Sequence, residues 1–511
     1  MFSKYLSKSN FMRWLIHPGY LWLEKYDKKK LPPVTTADQF LFDKGNAFEE
    51  EARKLFPKGK LVDAKPWEFD RLVALTKQYM EAGAETIFQA TAFTDRKLLV
   101  KSDVLKSNGD KWDLYEIKSS TSVKDDHLSD LAFQVIAWEE VGVDIDEIYL
   151  SYVNKEYKRG KQIEPELLVS KERITNKVRK RAREVREQIP EALAVLDRKE
   201  CPDLDPKYAR DLGKWLPVYM HLHPDLPPEH IYNLAQLKPA DIKLLQADGA
   251  ADLIGLNNLE GFNPRQQSQI KAWQEKPPIK LDKIAEFLDK LEFPLWFLDY
   301  ETVSHAVPIY PGTRAYQEIP FQYSLHLLES PDAELKHFEY LHKGDDLPVP
   351  RLLEKLKQDL GDEGSILVWY QAFEKGRNDD MARLAPEYRD WLKSINKRIV
   401  DLMIPFSSGW YIDKNFAGSA SIKKVLPAIV PELSYRELDV ADGMSAQASW
   451  YRAAIEKMQI KEKIFADLIK YCSLDTLAMV EIYRFLVKLV ENEISDDSQN
   501  HQDQPNQPSL F

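Results

Sequence analysis

Hydrophobic residues in the first 200 positions are concentrated in short segments that polar turns separate. The segments "ETIFQATAFT", "KLLVKSDVLK" and "KWDLYEIKSS" are rich in apolar and β-branched residues, and the turn "SNGD" lies between the last two. This composition is typical of β-strands. "NAFEEEARKLF" and "SDLAFQVIAWEEV" are helical in pattern, and "EIYLSYV" is a further strand. The pattern predicts a mixed α/β domain over residues 1–200.

The pattern changes twice further along the chain. Residues 201–285 are first Pro-rich and then helical, with few groups suited to chemistry, and we interpret them as a helical connector. Residues 286–490 open with the strand "LWFLDYETV" and again alternate strands with helices. The polar end, 491–511, is predicted to be a disordered tail. The expected fold class is therefore α/β and multidomain, which suits 511 residues, too many for one hydrophobic core.

Composition narrows the cellular setting. No run of about 18 uncharged apolar residues exists, so we expect a cytoplasmic protein without membrane contact. The two cysteines, Cys201 and Cys472, cannot form a disulfide framework and are expected to be reduced thiols. The net charge of −11 argues against nonspecific coating of DNA, although a local basic strip can still bind phosphates. "SKERITNKVRKRAREVREQI" is such a candidate strip, or simply a solvated helix face.

A first group of chemically suited residues lies on two consecutive predicted strands. Glu116 and Lys118 are two residues apart, so their side chains share one strand face, and Asp103 lies on the preceding strand. Two carboxylates from neighbouring strands can bind Mg²⁺ or Mn²⁺, and a lysine beside them can orient an attacking water. Upstream, Glu49 offers a third acid, and downstream Gln134 is an amide within an apolar helix that needs a partner.

Together these residues resemble a known nuclease pattern. The order Gly45, Glu49, Asp103, Glu116-Ile117-Lys118 and Gln134 resembles the PD-(D/E)XK pattern of RecB-like nucleases, including the CRISPR-associated RecB-like group. The resemblance implies a restriction-endonuclease-like fold for residues 1–200. It also implies that Glu49, Asp103 and Glu116 are metal ligands, Lys118 the catalytic lysine and Gln134 its supporting residue. His127 is either a neighbour of this site or an exposed loop histidine.

One feature of many relatives in this group is missing. They carry four cysteines that bind an iron–sulfur cluster, whereas this chain has His17 near the first of these places and only Cys201 near the others. No iron–sulfur cluster is therefore expected.

A second group of such residues lies in the third region. Asp299 and Glu301 are two apart on a predicted strand, so both carboxylates face one side. Tyr471 and Asp475 are four apart in a helical segment and therefore lie one turn apart on one face. A tyrosine hydroxyl beside an aspartate ligand suits alignment of a water for phosphoryl transfer.

In this order the second group resembles the DEDD exonuclease superfamily, in its tyrosine-bearing branch, on an RNase H-like fold. The resemblance implies 3′-5′ exonuclease activity with Asp299, Glu301 and Asp475 as metal ligands and Tyr471 as a catalytic residue. That family has an aspartate as its middle acid, and here we assign Glu374, because it follows directly after a strand. Asp379 and Asp380 are the alternatives.

The two halves together resemble an uncharacterised bacterial family that joins a RecB-like nuclease domain to an RNase H-like domain. The leading hypothesis is a nuclease with two centres that use Mg²⁺ or Mn²⁺ to hydrolyse DNA in repair, processing or defence. An RNA-processing exonuclease is one alternative. A nucleic-acid-binding scaffold with one inactive domain, for which the second domain is the stronger candidate because of Glu374, is another.

The end of the chain generates a testable prediction. Gln507, Leu510 and Phe511 match the Gln-x-x-Leu-Phe peptides that bacterial replication and repair proteins insert into the sliding clamp, with Pro508 where leucine is more usual. A flexible tether would suit such an anchor. A peptide of residues 501–511 should bind the cognate clamp. Affinity that is undetectable, or unchanged when Leu510 and Phe511 become alanine, would remove the clamp as a partner.

Overall fold

The structure, a computed structural model, describes residues 5–65, 67–275, 279–433, 440 and 442–500, with the backbone alone for 493–500. Contacts divide the chain into two compact units. The first comprises Met1–Leu226 with His305–Gln317, and the second comprises Pro227–Ser304 with Glu318–Phe511. Each unit contains a mixed β-sheet with helices, so the chain is an α/β protein of more than one unit.

The first unit is built on a seven-stranded sheet. Its strands are β1 (Leu6–Ser7), β2 (Lys60–Leu61), β3 (Thr86–Phe93), β4 (Leu98–Asn108), β5 (Lys111–Lys118), β6 (Ile145–Val153) and β7 (Val169–Arg173). Its helices are α1 (Lys8–Ile16), α2 (Pro18–Tyr26), α3 (Thr36–Arg53), α4 (Phe69–Glu81), α5 (Asp125–Glu140), α6 (Pro165–Leu168), α7 (Thr175–Asp197) and α8 (Leu212–Leu222). β3, β4, β5, α5 and β6 lie where the sequence pattern predicts them.

The sheet places β4 and β5 at its centre. The order is β2-β3-β4-β5-β6-β7, and the short β1 pairs in parallel with β4. β4 is antiparallel to β3 and β5, whereas β5 and β6 are parallel, as a crossover through α5 allows. α5 is buried on nearly every side, and its Phe133 stacks on Phe11 of α1 with ring centroids 5.0 Å apart.

The second unit contains a five-stranded sheet. Its strands are β8 (Leu295–Val303), β9 (Ile319–Leu328), β10 (Lys336–Leu341), β11 (Ile366–Val368) and β12 (Ile399–Asp401). Its helices are α9 (Pro239–Asp248), α10 (Pro264–Gln274), α11 (Leu281–Leu288), α12 (Val349–Asp359), α13 (Gln371–Leu384), α14 (Arg389–Arg398), α15 (Ile404–Ser407), α16 (Ile422–Ile429), α17 (Gly443–Trp450) and α18 (Lys461–Asn500).

The first strand of this sheet is the central one. The order is β10-β9-β8-β11-β12; β8 is antiparallel to β9 and parallel to β11. β8 and β9 are almost fully buried. A residue near the end of β8 therefore lies in the middle of the unit, with strands on both sides and α18 packed against it.

Two segments of the structure differ from what the sequence predicts. The predicted connector is shared between the units, because residues 201–226 belong to the first unit and 227–285 to the second. Residues 491–500, predicted as flexible, continue α18 as helix. The clamp-binding residues Gln507, Leu510 and Phe511 lie outside the described residues. Within the described chain, no helix has both the length and the apolar character needed to span a bilayer.

Candidate functional site

The first acidic cluster is built on the central strands of the first unit. Glu116 and Lys118 lie on one face of β5, with Lys118 Nζ 2.6 Å from Glu116 Oε1. Gln134 of α5 donates from Nε2 to Glu116 Oε2 at 2.8 Å. Glu116 is only 1% exposed. Three of the residues predicted from the sequence are therefore in direct contact around one buried carboxylate.

The buried amide of Gln134 has partners on both of its polar atoms. Its Nε2 also donates to Asp130 Oδ1 at 2.8 Å, and its Oε1 accepts from Ser102 Oγ at 2.6 Å. Trp138 Nε1 donates to the same Ser102 hydroxyl at 2.9 Å. Asp130 in turn accepts from Lys118 Nζ at 2.8 Å. This network fixes the orientation of Glu116 and Lys118, as buried polar groups require.

Gln89, which no sequence pattern indicated, links Glu49 and Asp103. Gln89 of β3 donates from Nε2 to Glu49 Oε1 at 2.6 Å, and the same nitrogen lies 3.4 Å from Asp103 Oδ1. Its φ of 55° places the backbone in the left-handed region in the middle of a strand. Arg53, one turn along α3, pairs with Glu49. The backbone N–H of Ile117 donates to Asp103 Oδ2 at 2.8 Å.

The carboxylates of this cluster titrate in opposite directions. Burial, together with the negative charge of Glu116, raises the pKa of Asp103 to about 7. Burial acts in the same direction on Glu116, but Lys118, Lys8 and the Gln134 amide together hold its pKa well below the usual range. The pKa of Lys118 is raised well above its ordinary value, because the nearby carboxylates outweigh its burial. Glu116 and Lys118 therefore form a charged pair, whereas the repulsion between Asp103 and Glu116 is not fully offset.

His127 is buried in the first turn of α5 and is not an exposed loop residue. Its Nδ1 accepts from the Lys124 backbone N–H at 3.2 Å, and its Nε2 lies 3.7 Å from Asp126 Oδ1. Burial lowers its pKa, and the charge of Lys118 adds to this effect. The charge of Asp126 opposes this shift, and His127 is a buried neighbour of the cluster.

Several basic side chains of helix α7 form ion pairs with acidic residues of the first unit. Arg179 and Arg186 both pair with Glu139, and Arg181 pairs with Asp125 at 2.9 Å. These contacts favour the interpretation of α7 as a solvated helix face over that of a phosphate-binding strip.

His17 and Cys201 have separate surroundings. The His17 ring stacks on Trp215 with centroids 4.1 Å apart, and its Nδ1 accepts from the Gly19 backbone N–H at 2.9 Å. Burial lowers the pKa of His17 to about 4. Cys201 is a half-buried free thiol whose pKa burial raises.

A second acidic cluster lies at the centre of the second unit. Asp299 and Glu301 come from β8 and Asp475 from α18, and each offers an oxygen within 4.8 Å of the others. Glu301 and Asp475 are buried, and Asp299 is half-buried. The sequence predicted all three as metal ligands, and the strand and the helix bring them together.

Glu374 is the best placed of the three candidates for the middle acid. It lies in the first turn of α13, is 2% exposed, and its Oε2 has no hydrogen-bond partner among the described residues. Asp299 and Glu301 both act electrostatically on it. Asp380 instead pairs with Arg377 at 3.1 Å and with Arg383, and Asp379 lies 3.4 Å from the Asn396 amide.

The turn that carries Glu374 is held by an aspartate of the neighbouring strand. Asp401, the last residue of β12, accepts hydrogen bonds from the backbone N–H groups of Tyr370 at 3.1 Å and Gln371 at 3.0 Å. Tyr370 has a φ of 78°, and this left-handed residue ends β11 and starts α13 abruptly. Only Trp369 and Tyr370 separate β11 from α13, so Glu374 follows closely after the strand.

Helix α18 contributes Tyr471, Cys472 and Asp475 to the second cluster. Tyr471 is buried one turn from Asp475, and the Nζ of Lys423 lies 5.1 Å from its ring centroid. Cys472 is fully buried, and its Sγ lies 3.7 Å from Asp299 Oδ2. From the sequence, Cys472 was expected only to be a reduced thiol. Its position between Tyr471 and Asp475, both assigned from the sequence, was the available signal.

Burial and mutual repulsion dominate the electrostatics of the second cluster. Both raise the pKa of Asp299, Glu301 and Glu374 well above the usual range, and Lys423 opposes this only for the first two. The pKa of Cys472 is raised by burial and by the same carboxylates. The charged forms of these acids are therefore disfavoured, and a bound cation would act in the opposite direction by favouring them. Oxygen-rich sites of this kind suit hard divalent ions such as Mg²⁺ and Mn²⁺.

One cavity of the second unit lies away from the acids. It has a volume of about 350 Å³ and is lined by parts of Asn263–Gln269 and Phe406–Ala420, and none of the four acids lines it. Because its walls hold no cluster of titratable groups, the acids are the stronger candidate site.

Comparison with known proteins supplies two matches. The profile of a family described as a domain of unknown function, DUF2779, matches residues 296–421. "Uncharacterized protein UU173" of Ureaplasma parvum serovar 3 is 23% identical over 273 residues, which cover 47% of this chain and 38% of that protein. The alignment therefore spans well under half of the relative's length. The family match includes Asp299, Glu301 and Glu374 and ends before Asp475.

The clusters contain residues that sequence patterns alone did not indicate. Asp130 lies four residues before Gln134 on the same helix face, and this spacing is a signal that could have identified it. Lys8 and Gln89 offer no such signal, because their contacts with Glu116 and Glu49 depend on the folded sheet.

Repulsion within the second cluster predicts a stability effect. Asp299→Asn should raise the melting temperature of the metal-free protein at pH 8, by about 2–4 °C for each kcal/mol of repulsion removed. A raised pKa means that the folded protein holds the proton more tightly, so the acid weakens stability increasingly as pH rises from about 4. The gain should therefore grow with pH in calorimetry with EDTA. Asp380→Asn, which breaks ion pairs, should give no gain; equal effects of both variants would contradict the explanation.

Proposed function

We propose that this chain is a metal-dependent nuclease with two centres, one of PD-(D/E)XK type in the first unit and one of DEDD type on an RNase H-like fold in the second. The observation that carries the proposal is the convergence of Asp299, Glu301 and Asp475 with the unpartnered Glu374 oxygen in a buried place. Burying like charges is unfavourable, and such clusters are typical of metal-dependent sites.

At the second centre, Asp299, Glu301, Glu374 and Asp475 would hold the ions. A bound divalent ion supplies Lewis acidity and a more acidic water for attack on a phosphodiester. Tyr471 would orient that water by its hydroxyl, one helical turn from Asp475. The central strand β8 and the long α18 are rigid elements, which suits a site that must hold its ligands in fixed positions.

At the first centre, Glu49, Asp103 and Glu116 are the proposed ligands. Lys118, held by Glu116 and Asp130, would stabilise the negative charge that develops on the phosphate. Gln134 would position Glu116 through its 2.8 Å hydrogen bond. A cation bound there would favour the charged form of Asp103, which burial and the charge of Glu116 disfavour.

We propose DNA as the substrate, with RNA as the alternative. End-labelled single- and double-stranded DNA and RNA, incubated with Mg²⁺ or Mn²⁺, would separate these options. Binding without cleavage of any substrate would favour the scaffold alternative and count against both centres.

The first centre is tested in the full chain with the second centre disabled by Asp299→Ala. In that background Lys118→Ala should lower cleavage at least about 100-fold, because charge stabilisation in the transition state is lost, while Mn²⁺ binding is retained. Asp103→Ala should remove both. The matched control is Lys106→Ala, an exposed lysine of β4, which should leave cleavage unchanged. Cleavage that survives Lys118→Ala would refute the assignment.

The second centre is tested in a Lys118→Ala background. Asp299→Ala should eliminate stepwise trimming from 3′ ends, and Tyr471→Phe should slow trimming with little change in Mn²⁺ affinity, because the phenylalanine keeps the ring and loses only the hydroxyl. Asp380→Ala serves as the control on α13. Trimming that is indifferent to Asp299→Ala, or products from internal cuts alone, would count against an exonuclease.

A further inference from the structure

A second lysine reaches the first cluster from the start of the chain. Lys8 Nζ lies 2.8 Å from Glu116 Oε1 and 3.4 Å from Asp130 Oδ1. Lys118 Nζ binds the same Oε1 atom at 2.6 Å. Two ammonium groups thus share one carboxylate oxygen, and the proposed function assigns a role only to Lys118.

The fold fixes the position from which Lys8 reaches in. Strand β1, which ends immediately before Lys8, pairs with β4. Ser7 caps α1 by accepting a hydrogen bond from the Asn10 backbone N–H at 3.1 Å. Phe11, one turn later, stacks on Phe133 of α5, the helix that carries Asp130 and Gln134. Lys8 is the first residue of α1, where the helix dipole disfavours a cation. Its contact with the carboxylates therefore needs a cause other than helix formation.

The charge of the cluster supplies that cause. The two ammonium groups together carry the charge of one divalent ion, and they carry it at an oxygen that the proposed centre gives to the metal. Lys8 is 19% exposed and has a long, flexible side chain, and its contact with Asp130 is longer, at 3.4 Å, than the 2.8 Å contact of Lys118 with the same carboxylate. Lys118 is held on its second side by Asp130 Oδ2.

We infer that Lys8 is a displaceable counter-cation, which compensates Glu116 when no metal is bound and competes with a divalent ion for that carboxylate. This inference rests on the proposed metal centre. Lys8 acts on the ion through Glu116, so it is a positioning residue and its effect belongs to metal affinity. Once displaced from Glu116, the ammonium group of Lys8 is available to phosphate groups at the same site.

The test measures Mn²⁺ binding by the full chain in an Asp299→Ala background, using the paramagnetic resonance signal of free Mn²⁺. Lys8→Met keeps much of the apolar side chain and removes the charge, so Mn²⁺ should bind about tenfold more tightly or better. Lys8→Arg keeps the charge and should stay within about twofold of the parent. Lys28→Met, which removes an exposed lysine elsewhere in the first unit, is the charge-matched control and should also have little effect.

A second measurement needs no substitution at Lys8. In the Asp299→Ala protein, in which the second centre is disabled, Mn²⁺ should increase acetylation of Lys8 by a soluble acetylating reagent, measured by mass spectrometry, while acetylation of Lys28 stays constant. Mn²⁺ affinity equal in Lys8→Met and Lys28→Met, or Lys8 acetylation that does not rise although Mn²⁺ binds, overturns the inference alone. Failure of the parent and of every variant to bind Mn²⁺ overturns the proposed first centre with it.

Discussion

Carboxylates that converge in a buried place repel one another, and the interior around them screens this repulsion poorly. Both acidic clusters of this chain depend on how that repulsion is relieved. In the first, Lys8 and Lys118 meet Glu116 directly, and its pKa falls well below the usual range. In the second, the pKa values of Asp299 and Glu301 are raised despite the opposing charge of Lys423. The repulsion is thus offset at Glu116 by two lysines in the first unit, whereas in the second unit it remains largely uncompensated and disfavours the charged forms of the acids.

This difference bears on the proposed chemistry of the two centres. A divalent ion at the first must compete with ammonium groups already bound to Glu116, whereas at the second it meets carboxylates whose repulsion it relieves. A bound cation would recover free energy that the fold gives up by burying Asp299, Glu301 and Glu374 together. In the proposed second centre, stability and function would therefore be opposed, as is usual where a site is built from groups that repel.

Residues two apart on a strand or four apart on a helix could be assigned from the sequence, because regular geometry places them on one face. Glu116 with Lys118, Asp299 with Glu301, and Tyr471 with Asp475 are of this kind. The strands β3, β4 and β5 and the helix α5 were predicted for the same reason. Contacts made across the fold, such as Lys8 with Glu116, depend on strand order and on the pairing of β1, which no local pattern encodes. The continuation of α18 through 491–500 was missed because a polar sequence lacks the apolar stripe that marks a helix.

Each cluster is accompanied by a strained backbone residue, two of the seven non-glycine residues with positive φ in the described part of the chain. Gln89 and Tyr370 both have positive φ, although neither is glycine, and each lies beside one of the clusters. Gln89 directs its amide to Glu49 and Asp103 from the middle of a strand, and Tyr370 ends β11 so that α13 can start with Glu374 in its first turn. Such conformations are unfavourable and persist where the surrounding structure holds them, as the Asp401 carboxylate does for Tyr370. Because Gln89 and Tyr370 both position polar groups within the acidic clusters, we attribute their strain to the requirements of the proposed centres more readily than to stability.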